Sequence, residues 1–265
     1  MKKFLAIMLA LLLLLCAVSC SKEDENTDDK KENEVVDTES AYTPEGSADS
    51  FEYGVNEDGN YEIIGFKSTN SAPHKVEIPA AIDNVAVTAI GDDAFKVCNY
   101  ISEVVIPDSV VEIGNYAFYG CNYLTAVTVA DSVKTVGIGA FDSCVALANV
   151  KLSAATVSIG DFAFRACAAL ETIAIPETVE SIGDGAFFKC AALKEIVLPA
   201  SVKTVGDCAF YGTTKLTKAT VKNAEIALGE YVFAGVDKTF VIVAAENSKG
   251  AEYATAYEFG FEKLA

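Results

Sequence analysis

The apolar positions of this chain fall into a register that repeats without slippage. Phenylalanine stands at 95, 118, 141, 164, 187, 210 and 233, and glycine at 91, 114, 137, 160, 183, 206 and 229, so the period is 23 residues. One full copy runs from Ile90 to Pro107: Ile90, Gly91, Ala94, Phe95, Cys98, Ile101, Val104, Ile106 and Pro107. A fixed period of this length marks a solenoid, whose coils each bury their apolar face only against their neighbours. Leu124, Val127 and Val129 have the spacing of a strand with one inward face. Stacked coils bring such strands together as a parallel sheet, about 4.8 Å apart. Pro107, Pro176 and Pro199 end their strands because proline donates no ladder hydrogen bond.

The return limb carries Val136-Gly137 and Ala140-Phe141. An acid or amide follows the glycine in most copies: Asp92, Asn115, Asp161, Asp184, Asp207 and Glu230. That pattern suits the first turn of a short helix, where unpaired N–H groups favour negative charge. The expected fold is therefore an α/β repeat. It is a right-handed solenoid of 23-residue coils with the parallel sheet on its concave face and short helices on its convex face.

The ends depart from the repeat. Phe51–Val55 and Tyr61–Phe66 flank an Asp-Gly turn and predict a hairpin cap. Val76-Glu77-Ile78-Pro79 is a first strand copy, and a five-residue insertion around residues 83–87 follows it. His74 is placed in the loop before that strand, as a surface residue. At the other end the motif decays after Leu216. Phe240–Val243 predicts a last strand and Ser248 the cap of a helix through Tyr257, with Gly260 as its stop and Phe261 packing beyond.

Before the hairpin lie two further segments. Met1-Lys2-Lys3 and the apolar run Phe4–Val18 form a secretory signal, too short for the roughly 20 residues of a membrane span. Residues 21–50 hold eleven acids against three lysines and show no apolar periodicity, which predicts a disordered tether. The organisation is thus signal 1–19, tether 20–50 and repeat domain 51–265, with repeats over about 73–245.

Ala17-Val18-Ser19-Cys20 resembles a bacterial lipoprotein box, with Ala17 where that family usually has Leu. The resemblance implies cleavage before Cys20, acylation of its thiol and attachment to a membrane. Ser21–Glu25 resembles the acidic export tag of some surface lipoproteins. The repeat itself, Ile-Gly-x-x-Ala-Phe-x-x-Cys-x-x-Leu, resembles the BspA-like type of bacterial leucine-rich repeat over about residues 73–245. That resemblance implies a secreted or surface-displayed protein engaged in adhesion to host or neighbouring cells.

Charge narrows the partners. The net charge is −18, which opposes nucleic-acid binding and docking on anionic lipid, both of which need a basic footprint. Cys98, Cys121, Cys144, Cys167 and Cys190 share the period. Equivalent positions on successive coils point the same way, whereas a disulfide needs converging Cβ atoms, so packing is favoured over disulfides or metal. No Cys-x-x-Cys or Cys/His spacing offers a zinc site. Cys208 lies off the column and is expected to be exposed and the more reactive thiol. With one histidine, no phosphate loop and conspicuous residues that all follow the repeat, no catalytic group and no cofactor is assigned.

A ligand is expected on the concave sheet, as is common in solenoids. One outward column is Glu77, Val105, Thr128, Lys151, Ala174, Val197 and Thr220; its neighbour is Glu103, Ala126, Asn149, Thr172, Glu195 and Lys218. The expected partner is an extracellular protein or glycan, bound by a monomer; a structural scaffold of a cell-envelope assembly is the alternative.

Overall fold

The computed structural model describes residues 40–43 and 49–265; Cys20, the signal and most of the tether lie outside them. The strands in chain order are β1 (Ser40–Tyr42), β2 (Asp49–Val55), β3 (Tyr61–Ser68), β4 (His74–Glu77), β5 (Ala81–Ile82), β6 (Val85–Ile90), β7 (Ile101–Ile106), β8 (Glu112–Ile113), β9 (Ala126–Val129) and β10 (Thr135–Val136). They continue as β11 (Asn149–Lys151), β12 (Ser158–Ile159), β13 (Ser181–Ile182), β14 (Glu195–Leu198), β15 (Thr204–Val205), β16 (Lys218–Val221), β17 (Ala227–Leu228) and β18 (Val241–Ala244), then helix α1 (Lys249–Ala256) and β19 (Gly260–Lys263).

Each coil contributes a two-residue strand, and every coil but the one holding Thr172–Ile175 also a longer one. The short ones, with β6, pair in parallel in the order β6-β8-β10-β12-β13-β15-β17 without interruption. Partners are 23 residues apart, as in Val136↔Ile159 and Ile182↔Val205. The long strands form two four-stranded sheets, β11-β9-β7-β4 and β14-β16-β18-β19. Between the layers the phenylalanine rings stack face to face, 5.1 Å apart for Phe118 and Phe141 and 5.3 Å for both Phe141–Phe164 and Phe164–Phe187. All seven are fully buried. Burial of one such side chain is worth roughly 1.5–3 kcal/mol.

The glycine column exists because coils touch there. A Cβ on Gly160 would stand 2.7 Å from the carbonyl carbon of Gly137 and 2.8 Å from Ile138 N. Any side chain would push the coils apart.

The convex limbs are turns, not the short helices the acidic column suggested. Two residues in each limb have positive φ, two before and two after the phenylalanine: Phe162 (55°) and Ala166 (57°), or Lys189 (59°) and Cys208 (54°) in neighbouring limbs. Left-handed residues cannot be propagated into a right-handed helix. The limb amides bond to the next coil instead, Phe95 N to Ala117 O at 2.7 Å and Phe118 N to Ala140 O at 2.7 Å. The acidic column serves the same stacking. Asp161 Oδ1 accepts from Asp184 N (2.8 Å), Asp184 Oδ1 from Asp207 N (2.7 Å) and Asp207 Oδ1 from Glu230 N (2.7 Å).

At the N-terminal end β2 and β3 form the antiparallel hairpin, and β3 pairs in parallel with β6. Phe51 and Phe66 meet the Phe95 ring, at 6.4 and 5.1 Å. Strand structure begins upstream of Phe51: Ser40–Tyr42, placed in the tether by composition, pairs with β2. The insertion after β4 is a second hairpin, β5 with β6, closed by Asp83 and Asn84 in the left-handed region. Such a two-residue turn matches the twist of the strands it joins. His74 is in β4 rather than a loop, and its Nε2 lies 2.9 Å from Asp49 Oδ2.

At the C-terminal end α1 forms as expected, with Ser248 Oγ accepting from Ala251 N. Two expectations fail. Strand β18 is not the last: Gly260 opens β19, which pairs with it in parallel. Phe261 is 41% exposed, and it is Phe259 that packs, 5.1 Å from the Phe240 ring.

Candidate functional site

The outward columns lie where their spacing put them. Glu77, Val105, Thr128 and Lys151 are consecutive register partners across β4, β7, β9 and β11. Val197 and Thr220 are partners across β14 and β16, as are Glu195 and Lys218. Glu103, Ala126 and Asn149 form the neighbouring row. All these side chains are exposed or half-exposed, while Val104, Val127 and Ile196 between them are buried.

Thr172 and Ala174 are exposed as well, but they do not join the ladder. The run Thr172–Ile175 has the sequence of a strand and belongs to no sheet, so the long-strand face is split into two halves. Two openings lie at this seam. One, of about 520 Å³, is lined by Val150, Leu152, Ile173, Pro176, Lys151 and Asp131 among others. The other, of about 270 Å³, adjoins Thr128, Asn149, Lys151 and Thr172. Val150 is half-buried there, although its column mates Val127 and Ile196 are 2% and 1% exposed.

The seam borders a coil that departs from the repeat at several positions. Ser153 takes the proline position and is buried, its Oγ accepting from Ala155 N. Thr156 takes the column of Val133 and Val179, and its hydroxyl donates to Val133 O at 3.2 Å. On the turn limb Asp142 is 0% exposed and accepts from Arg165 Nε at 2.9 Å and from Ser143 Oγ at 2.9 Å. Arg165 is the one arginine of the sequence. Its guanidinium also stands 5.2 Å from the centre of the Phe162 ring. A buried carboxylate demands such a partner. These substitutions were visible as breaks in periodicity; the hydrogen bonds that satisfy them were not.

A further groove, of about 540 Å³, runs along the glycine column beside Asp161 and Asp184, on the short-strand side. The sequence reading did not single it out. Its carboxylates are held by the amides of the next coil, and burial, followed by Asp161 and Asp207, raises the Asp184 carboxyl above its usual range.

The cysteines are packing residues. Sγ of Cys121, Cys144, Cys167 and Cys190 each donates to the carbonyl of the phenylalanine 26 residues earlier, at 3.0 to 3.2 Å. Burial raises the Cys98 thiol to about 11 and those of Cys167 and Cys190 further. Cys208, expected to be exposed, is 1% exposed. Burial and the raised titration hold the Cys98, Cys167 and Cys190 thiols in the protonated, less reactive form.

Among the described residues no cluster of three or more His, Cys, Asp or Glu is placed to hold a metal, and no helix is long and apolar enough to cross a membrane. No curated protein matches the chain. Among solved structures, a leucine-rich repeat protein from Bacteroides ovatus is 24% identical with TM-score 0.48, covering 73% of this chain and 69% of that one. The T. pallidum leucine rich repeat protein is 20% identical with TM-score 0.48, covering 81% and 95%. A leucine rich cell surface protein from Faecalibacterium prausnitzii is 20% identical with TM-score 0.41, covering 86% and 96%. The family model described as a BspA type leucine rich repeat region matches in six copies, over residues 88–190 and 157–259. With more than half its length matched and a 23-residue coil at every copy, the chain belongs to the BspA-type leucine-rich repeat family.

Proposed function

We propose that this protein is a non-catalytic binding module of the cell surface, attached to the membrane by a lipid on Cys20, which adheres to a protein of a host or neighbouring cell through its long-strand face. The observation that carries the reading is a contrast within each coil. Inward columns hold the same residue type from coil to coil, whereas the outward residues change at every step: Glu103, Ala126, Asn149, Thr172, Glu195 and Lys218. Packing has no use for that variety, and a binding surface does. Extended solenoid faces serve as binding surfaces in repeat proteins generally. The Faecalibacterium relative, described as a cell surface protein, agrees with the address.

The test is a binding screen of the purified full chain against extracellular-matrix proteins, glycans and envelope extracts, with Val105→Glu and Val197→Glu alongside. A saturable protein ligand lost in both variants is the expected result. Binding confined to an envelope partner would favour the scaffold reading, and binding unchanged in the variants would move the site off this face. Cys20→Ala should shift the protein from the membrane to the soluble fraction.

A further inference from the structure

The long-strand face leaves its own hydrogen bonding unfinished at one place. At the corner before each long strand an amide normally bonds to the preceding coil: Thr125 N to Ser102 O (2.7 Å), Ala148 N to Thr125 O (3.0 Å), Lys194 N to Glu171 O (3.2 Å) and Thr217 N to Lys194 O (2.9 Å). Glu171 breaks the series; the contact there is Ala169 N to Val145 O at 3.2 Å. Beyond it, Thr172–Ile175 pairs with neither β11 nor β14. The two coils meet again at Thr178, whose Oγ1 donates to Thr156 O at 2.7 Å, and at the short strands, Ser158↔Ser181. The result is a slit closed at both ends. Its floor is apolar, Val150, Leu152 and Ile173, and its rim carries Lys151 and Thr172.

Three properties of the slit specify an occupant. Its volume, about 520 Å³, accepts an apolar side chain, and its lining contains no aromatic ring on which a sugar could stack. Its main-chain edge holds N–H and C=O groups without ladder partners, the kind of edge that recruits another backbone. Its charge differs from that of the chain as a whole: against a net charge of −18, the lining holds one cation, Lys151, and one acid, Asp131, beside Thr172 and Ala174, with Glu195 one coil beyond Thr172. Lys151 makes no ion pair among the described residues.

We propose that the seam between β11 and Thr172–Ile175 is the recognition point of the face, and that its partner is an extended polypeptide bearing a carboxylate for Lys151 next to an apolar side chain for the Val150–Ile173 slit. This rests on the reading of the long-strand face as the binding surface and narrows it to one coil pair and one class of ligand.

The experiment is a selection from a random dodecapeptide display library on the full chain, with affinities of enriched peptides measured by fluorescence anisotropy. Enriched peptides should place Asp or Glu one or two residues from Val, Ile, Leu or Phe. They should lose at least tenfold in affinity against Lys151→Glu and against Ala174→Lys, both at exposed positions that leave the core untouched. Val105→Glu, elsewhere on the same face, is measured beside them, and Lys134→Glu, the same charge change at an exposed position off that face and next to β10, should bind the peptides within twofold. Amide exchange at 171–175 should slow on binding. Peptides that bind Lys151→Glu equally, failure to enrich any peptide, or preference for an acidic oligosaccharide would each overturn the seam. Loss in Val105→Glu with Lys151→Glu unaffected would also overturn it while leaving the face reading intact. Indifference to Lys151→Glu, Ala174→Lys and Val105→Glu alike would overturn both.

Discussion

The short-strand side and the long-strand face are built by the same 23-residue repeat, yet one is continuous and the other is broken. On the short-strand side every coil from β6 to β17 pairs with the next, and the phenylalanine rings behind it stay 4.8 to 5.4 Å apart throughout. On the long-strand face the ladder stops at β11 and resumes at β14. The difference follows from what each side touches. Glycine backbones pressed together and rings stacked in the interior leave no tolerance, since protein interiors are close-packed and a single methylene is felt. An outward strand residue meets solvent and is free to vary, so irregularity collects there. Regularity in this molecule marks what holds it together, and departure from regularity marks where a partner could be met.

The comparison can be broken from its strong side first. Phe164→Ala removes a ring stacked on both neighbours and should cost about 3–5 kcal/mol in chemical denaturation, the largest effect expected. Its exchange signature should extend to the coils on either side, because they share the core. Gly160→Ala sets a methyl against the Gly137 backbone; the coils must separate locally, and a loss of about 1–3 kcal/mol in the same measurement is expected. Ala174→Lys, at an exposed position on the broken face, should change stability by no more than about 0.5 kcal/mol. A large loss in that variant would show that the seam is held as tightly as the interior and would remove the contrast.

The part of the fold that could be read from the sequence is the part fixed by burial. The Phe, Gly and Cys columns repeat because each has a buried neighbour one coil away, and that gave the coil length, the parallel pairing and the inward face of every strand. The turn limbs were misread as helices. The corrective signal was present in the glycines: Gly139 and Gly185 stand two residues before a phenylalanine and Gly120, Gly212 and Gly235 two after, all with positive φ. Asp93, Val97 and Lys189 adopt the same conformation without advertising it. Acids after the glycine column looked like helix N-terminal residues because a carboxylate that accepts from a backbone amide is the same chemistry in either setting; only the location of the amide, one coil on, distinguishes them. Cys208 was misplaced because its repeat position is not uniform: Asp93, with the same left-handed backbone, is exposed, whereas the small Cys208 side chain is buried. Of the long-strand face, the columns were legible through their spacing. The seam was not, because Thr172–Ile175 reads as a strand like any other, and its failure to pair depends on how two whole coils settle against each other.

The Asp and amide bonds between coils have a mechanical consequence. Each carboxylate on the Asp161–Asp184–Asp207 row grips only the coil that follows it. A pull along the axis therefore does not strain all the junctions in parallel; it strips them one at a time, each released coil of 23 residues lengthening the chain by about 80 Å at full extension. Under load such a stack yields in steps, and each junction dissipates energy as it parts.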